Sequence, residues 1–180
     1  FQASREQVAN SIKNMKDWWL AETENYIILS DLTARQRLTV KEVQENIELL
    51  RSAFEQFIPP KKEIKAVSVI RIFADSNQYK AYVGPNYTWS SGLWMSHKKE
   101  LVIRPFEQAD NKTQRELFLQ VIFHESFHQY IFYALDELQP APWFNEGYAE
   151  FFRTARISEK KMEVREDERA AKTLEELLAA

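Results

Sequence analysis

Two histidines four residues apart, His124 and His128, constrain this chain more than any other feature. They sit in His124-Glu125-Ser126-Phe127-His128, inside a run from Lys112 to Tyr133 that reads as one helix. Thr113 with Glu116 three residues later offers a capping box at its start. Leu117, Val121, His124, His128 and Ile131 then recur at steps of 4, 3, 4 and 3, a period close to that of an α-helix. On such a helix both imidazoles leave the same face, one turn apart. Two nitrogens placed in that way can share one Zn²⁺ at about 2.0–2.1 Å. Glu125, next to the first histidine, can reach a metal-bound water without ligating the metal. Phe118, Ile122, Phe123 and Phe127 give the helix further apolar surface, so most of it is expected to be covered by protein. Polar rings aimed into an apolar interior are costly unless something binds them.

A catalytic zinc takes three protein ligands and keeps one position open. The segment from Pro142 to Glu150 supplies a third candidate. A helix starting near Pro142, where proline suits the first turn, would carry Glu146 inward. Gly147 is expected to let this helix approach the first one closely. Glu150, four residues after Glu146, shares its face and is placed to accept the free ring N–H of a ligating histidine.

These residues resemble the gluzincin metallopeptidases, in which His-Glu-x-x-His on one helix is followed by an Asn-Glu-Gly-x-Ala-like segment. More narrowly, the chain is similar to an uncharacterised gluzincin-like family of bacterial, often secreted, proteins, with Gln129 following the second histidine and Trp143 to Glu150 matching the second motif. Glu24 to Ser30, Val67 to Phe73 and Gly92-Leu93-Trp94 extend the likeness to most of residues 20–155. The resemblance implies a zincin-like α+β fold, Zn²⁺ held by His124, His128 and Glu146, and Glu125 as general base. It also implies that an edge strand containing Gly92, Leu93 and Trp94 binds extended peptide by strand addition. Gluzincins polarise the substrate carbonyl with a His or Tyr beyond the glutamate ligand. No histidine follows His128, which leaves Tyr148 as the tyrosine available for that role. A peptide or protein substrate and an extracytoplasmic or secreted location are the corresponding expectations. The alternative is a zincin-like binding module that keeps the metal as a staple and offers its groove to a partner.

The remaining features bound this reading. A length of 180 residues suits a single domain, and 44% hydrophobic with 28% charged residues is ordinary for a globular one. A net charge of −3 argues against a general nucleic-acid or anionic-membrane binder. No apolar run of about 18 residues is available to span a bilayer. Cysteine is absent, which removes disulfides and thiol catalysis, and three glycines leave no phosphate-binding loop. The chain begins at Phe1 rather than at a methionine, which is compatible with a signal peptide or anchor removed upstream but does not show one.

In chain order, Val8, Ile12, Met15 and Trp19 predict an amphipathic helix over residues 4–20, and Tyr26 to Ser30 a strand. Thr33 to Gln36 is a capping box opening a helix that Pro59-Pro60 ends. Ile64 to Phe73 reads as an interior strand, and Asp75 caps a short helix stopped at Gly84-Pro85. Trp89 to Met95 and Leu101 to Arg104 form a hairpin with His97 exposed in its turn. From Ser158 the chain is strongly charged, and i,i+4 pairs among Glu168, Lys172 and Glu176 predict a solvated terminal helix over 158–180. The sum is an α+β fold: a small mixed sheet under one layer of helices, with a metal helix and a second helix bearing the glutamate.

Overall fold

The computed structural model describes residues 2–105, 112–158 and 161–164. Its centre is a five-stranded mixed sheet with strand order β1-β2-β3-β5-β4, formed by β1 (Trp19–Glu22), β2 (Tyr26–Ser30), β3 (Ser68–Ile72), β4 (Gly92–Met95) and β5 (Glu100–Ile103). The three central strands β2, β3 and β5 run parallel, while β1 and β4 are antiparallel edges. β2 and β3 are buried at every position, as strands covered on both faces are.

Three helices cover one face: α2 (Arg37–Phe57), α4 (Lys112–Ala134) and α5 (Pro142–Arg153). Their apolar residues Val43, Ile47, Phe54, Ile122, Phe127 and Phe152 join Tyr26, Ile28, Ile70, Ile72, Leu101 and Ile103 of the sheet in the main core. The opposite face is not open. Ile12 of α1 (Gln2–Ile12) packs on Ile27, Leu29 and Val69, and Tyr79 and Val83 of α3 (Ser76–Val83) pack on Phe73, Met95 and Val102. The expected single layer of helices is therefore corrected to helices on both faces. The alternation of the strands explains it, because residues on both sides of β2 and β3 are apolar.

Several boundaries differ from the sequence reading. The first helix ends at Ile12, and Trp19 belongs to β1. Asp17, at φ 65°, turns the chain between them, and the Trp19 indole N–H donates to the Leu32 carbonyl at 2.9 Å. The aromatic end of the predicted helix thus serves a strand. Gln36 accepts from the Thr33 N–H as a capping box does, but it opens a 3₁₀ turn before α2. Asp75 caps α3 by accepting from the N–H groups of Asn77 and Gln78, and Gly84 ends that helix at φ 83°. α4 already includes Lys112, so Thr113 lies inside the helix rather than at its cap, and Leu117 is exposed instead of continuing the buried stripe. After α5, β6 (Ala155–Ser158) and β7 (Lys161–Val164) pair as a separate hairpin where a helix was expected to begin. The charged pairs from Glu168 onward lie outside the described residues. No helix among the described residues is long and apolar enough to cross a membrane.

Candidate metal centre

α4 is seated by aromatic packing on its buried side. Phe54 of α2 meets Phe127 at 5.5 Å, Tyr130 at 5.3 Å and Phe152 at 4.6 Å between ring centroids. Gln129, fully buried, donates to the Val69 carbonyl at 3.0 Å and ties the helix to β3. With that side fixed, His124 and Glu125 turn towards a cleft of about 770 Å³ between β4 and the connection from α4 to α5. The cleft is lined by Gly92, Leu93, Trp94, His124, Glu125, His128, Asn145, Glu146 and Glu150, among others.

α5 begins at Pro142 and runs alongside α4, but Gly147 is not the point of approach. A Cβ at Gly147 would meet nothing within 4 Å, and the residue is exposed. Ala149 and Phe152, both fully buried, make the contact instead. The expected close approach at the glycine is thereby corrected: residues on the inner face of α5, not the glycine, meet α4.

The arrangement brings Glu146 to the two histidines. Its Oε2 lies 3.6 Å from Nε2 of His124 and 3.6 Å from Nε2 of His128, and the two ring nitrogens are 3.0 Å apart. Tetrahedral ligands at 2.0–2.2 Å from one ion stand about 3.3–3.5 Å from each other, so the triangle has the right size. The opposite ring nitrogens decide which atoms carry lone pairs. Nδ1 of His128 lies 2.9 Å from Oδ1 of Asn145, an acceptor only, so the proton of the neutral ring sits on Nδ1. Nδ1 of His124 lies 3.1 Å from Oε1 of Glu150. This buried nitrogen has no aligned hydrogen bond, so the pair is held at ion-pair distance with the carboxylate off the N–H direction. A proton there again leaves Nε2 bare. With that proton in place, two nitrogen lone pairs and a carboxylate oxygen converge on one point, the donor set that a cation site needs. His124, His128 and Glu146 thus form a candidate metal-binding cluster on two helices.

Burial shapes the titration of the neighbours. It holds the His124 pKa below its ordinary value, with His128 adding in the same direction and Glu150 and Glu146 opposing. Glu125 is pushed up, first by burial, against the pull of His128 and the Trp94 N–H. That N–H donates to Oε2 of Glu125 at 2.9 Å. The contact is possible because β4 passes very close to α4 at Gly92. A Cβ there would stand 2.5 Å from Cγ1 of Val121 and 3.3 Å from Cγ of Glu125.

The other residues singled out from sequence fall as follows. Gly92, Leu93 and Trp94 lie on the outer strand of the sheet and line the cleft. Ser91 accepts from Arg104 across the hairpin, so 91, 93 and 95 face β5. The main-chain groups of Gly92 and Trp94 therefore point outward, as the bond to Glu125 also requires. Leu93 turns its side chain to the far face, beside Phe73 and Met95. Tyr148 is not brought to the cluster: its ring stacks on Phe127 at 5.8 Å and packs on Phe144 at 4.8 Å. His97 is exposed in the hairpin turn. Asn145 was missed in the sequence, although its place next to Glu146, the candidate third ligand, was a usable signal. No protein-family description, curated protein or solved structure was found to match the chain.

Proposed function

We propose that the chain is a zinc-dependent hydrolase of the gluzincin type, cleaving peptide bonds. The observation that carries this reading is the convergence of Nε2 of His124, Nε2 of His128 and Oε2 of Glu146 within 3.6 Å of one another, beside a half-buried glutamate outside that triad. His124, His128 and Glu146 would hold the ion, and zinc suits two imidazoles and a carboxylate. When bound, zinc supplies a Lewis acid and an activated water. Glu125 takes the proton of the attacking water on its carboxylate and returns it to the leaving amine. The Trp94 N–H donates to Oε2 of this carboxylate at 2.9 Å and orients it for both transfers. Asn145 and Glu150 hold the two imidazoles in the tautomer that presents Nε2. β4 offers the outward groups of Gly92 and the Trp94 carbonyl to an extended peptide, while the Trp94 N–H orients the base.

The test is zinc content together with cleavage of a mixed peptide library by the parent and by Glu125→Gln. The amide keeps the size of the side chain but cannot accept the proton. Zinc is expected to stay near the parent level and turnover to fall about 10²–10⁴-fold. Undiminished cleavage by Glu125→Gln contradicts the assignment of the base. A second reading, a metal-stapled binding module, is favoured by the position of Tyr148, whose stacked ring leaves the carbonyl-polarising role unassigned. Firm zinc binding without cleavage of any peptide supports that reading.

A further inference from the structure

Arg153 ends α5 and lines the same cleft, and neither its charge nor its position is used by the account above. Its Nε donates to Oε2 of Glu150 at 2.6 Å, and its Nη1 donates to Oε1 of Gln120 at 3.1 Å. The other carboxylate oxygen of Glu150 is the one that lies 3.1 Å from Nδ1 of His124. Gln120 and His124 stand one turn apart on α4, and Glu150 and Arg153 one turn apart on α5. A chain of contacts therefore runs from Gln120 through Arg153 and Glu150 to His124, and its two ends stand one turn apart on α4.

We infer that Arg153 is a positioning residue for the metal site, acting through Glu150 on the orientation of His124; the inference rests on the metal reading proposed above. Glu150 alone is poorly suited to fix an imidazole. Its side chain is 53% exposed, and a surface carboxylate has rotamer freedom that a single off-line contact does not remove. A planar guanidinium with donors in a fixed fork can hold one carboxylate oxygen and, from another nitrogen, an acceptor on the neighbouring helix. With Oε2 engaged by Arg153, Oε1 is the oxygen held 3.1 Å from Nδ1 of His124. The Gln120 contact anchors the fork to the helix that carries His124 itself, so the orientation is referred to the ligand's own backbone.

Charge alone predicts the opposite sign. A cation near a metal site repels the metal, so removing Arg153 would tighten zinc if proximity were its only effect. Removing a support for Glu150 would loosen it. The measurement is the zinc dissociation constant of the full chain by chelator competition, for the parent, Arg153→Ala, Glu150→Ala and the double variant, with far-UV circular dichroism of each metal-free protein. Arg153→Ala is expected to bind zinc roughly 3–10-fold more weakly, within the coupling range of contacting residues. The double variant is expected to bind no more weakly than Glu150→Ala alone, because Arg153 has nothing left to act through. Arg153→Lys keeps the charge but not the fork, is the safer variant for folding, and is also expected to bind zinc more weakly than the parent. Affinity equal to or tighter than the parent in the folded arginine variants overturns the inference, as do losses that add in the double variant. A parent that binds no zinc contradicts the metal reading itself, an outcome distinct from a zinc-binding parent indifferent to Arg153.

Discussion

The main-chain N–H of Trp94 donates to Oε2 of Glu125 at 2.9 Å, so an edge strand holds the carboxylate that α4 turns towards the cleft. The bond joins two elements 31 residues apart in sequence. It depends on Gly92, two residues earlier on the same strand.

Gly92→Ala tests that dependence. The added Cβ would stand 2.5 Å from Cγ1 of Val121, so strand or side chain must shift. Overpacking of this kind costs about 1–3 kcal/mol, and the same shift draws the Trp94 N–H away from Glu125. Denaturant unfolding is expected to show the loss, with zinc content unchanged and peptide turnover reduced. Full stability with full turnover contradicts the proposed close fit.

Asn145→Ala removes the acceptor for Nδ1 of His128. Zinc affinity is expected to fall roughly 10–100-fold, the usual consequence of removing a partner that orients a ligating histidine. Asn145→Asp restores an acceptor and is expected to recover most of the loss. Chelator competition on the two variants checks both statements.

The raised pKa of Glu125 has a consequence for the metal-free protein. A carboxyl whose folded pKa lies above its unfolded value, here 4.5, favours folding fully below that value and loses this contribution as pH rises through the folded pKa. Glu125→Gln does not titrate. The variant is therefore expected to gain stability over the metal-free parent towards neutral pH, and the difference is expected to shrink as pH falls to 4.5. Urea unfolding of both proteins across that range measures it, and a difference that does not vary with pH contradicts the assignment.

Phe54→Ala probes the seat of α4. Phe54 is fully buried and meets rings from both α4 and α5. A loss of about 3–5 kcal/mol is expected, with zinc binding weakened in proportion to the loosened helix pair. Thermal unfolding with and without zinc reports both effects.

The convergence of His124, His128 and Glu146 into a candidate metal-binding cluster was legible because each of its parts is local. An i,i+4 pair on a strongly apolar helix fixes two imidazoles without any knowledge of the fold, and Pro142 marks the helix that carries Glu146. The strand hairpin from Gly92 to Ile103 was also readable from its turn. What escaped were matters of three-dimensional context. Trp19 matches a helical period with Val8, Ile12 and Met15, yet the helix ends at Ile12 and a left-handed residue at Asp17 turns the chain into β1. Gly147 looked like the residue for close packing, but Gly92 has that role, on an element whose partner helix starts 20 residues further along. Arg153 and Gln120 meet only because α5 folds back along α4. Strand order β1-β2-β3-β5-β4 likewise has no local signature.

The central claim is that Nε2 of His124, Nε2 of His128 and Oε2 of Glu146 share one ion. Its most direct test is titration of zinc into metal-free parent, His128→Ala and Glu146→Ala, followed by calorimetry. The account predicts one equivalent of zinc per parent chain and loss of that site in both variants. A parent that takes up no zinc, or a Glu146→Ala variant that holds one equivalent as tightly as the parent, would contradict it.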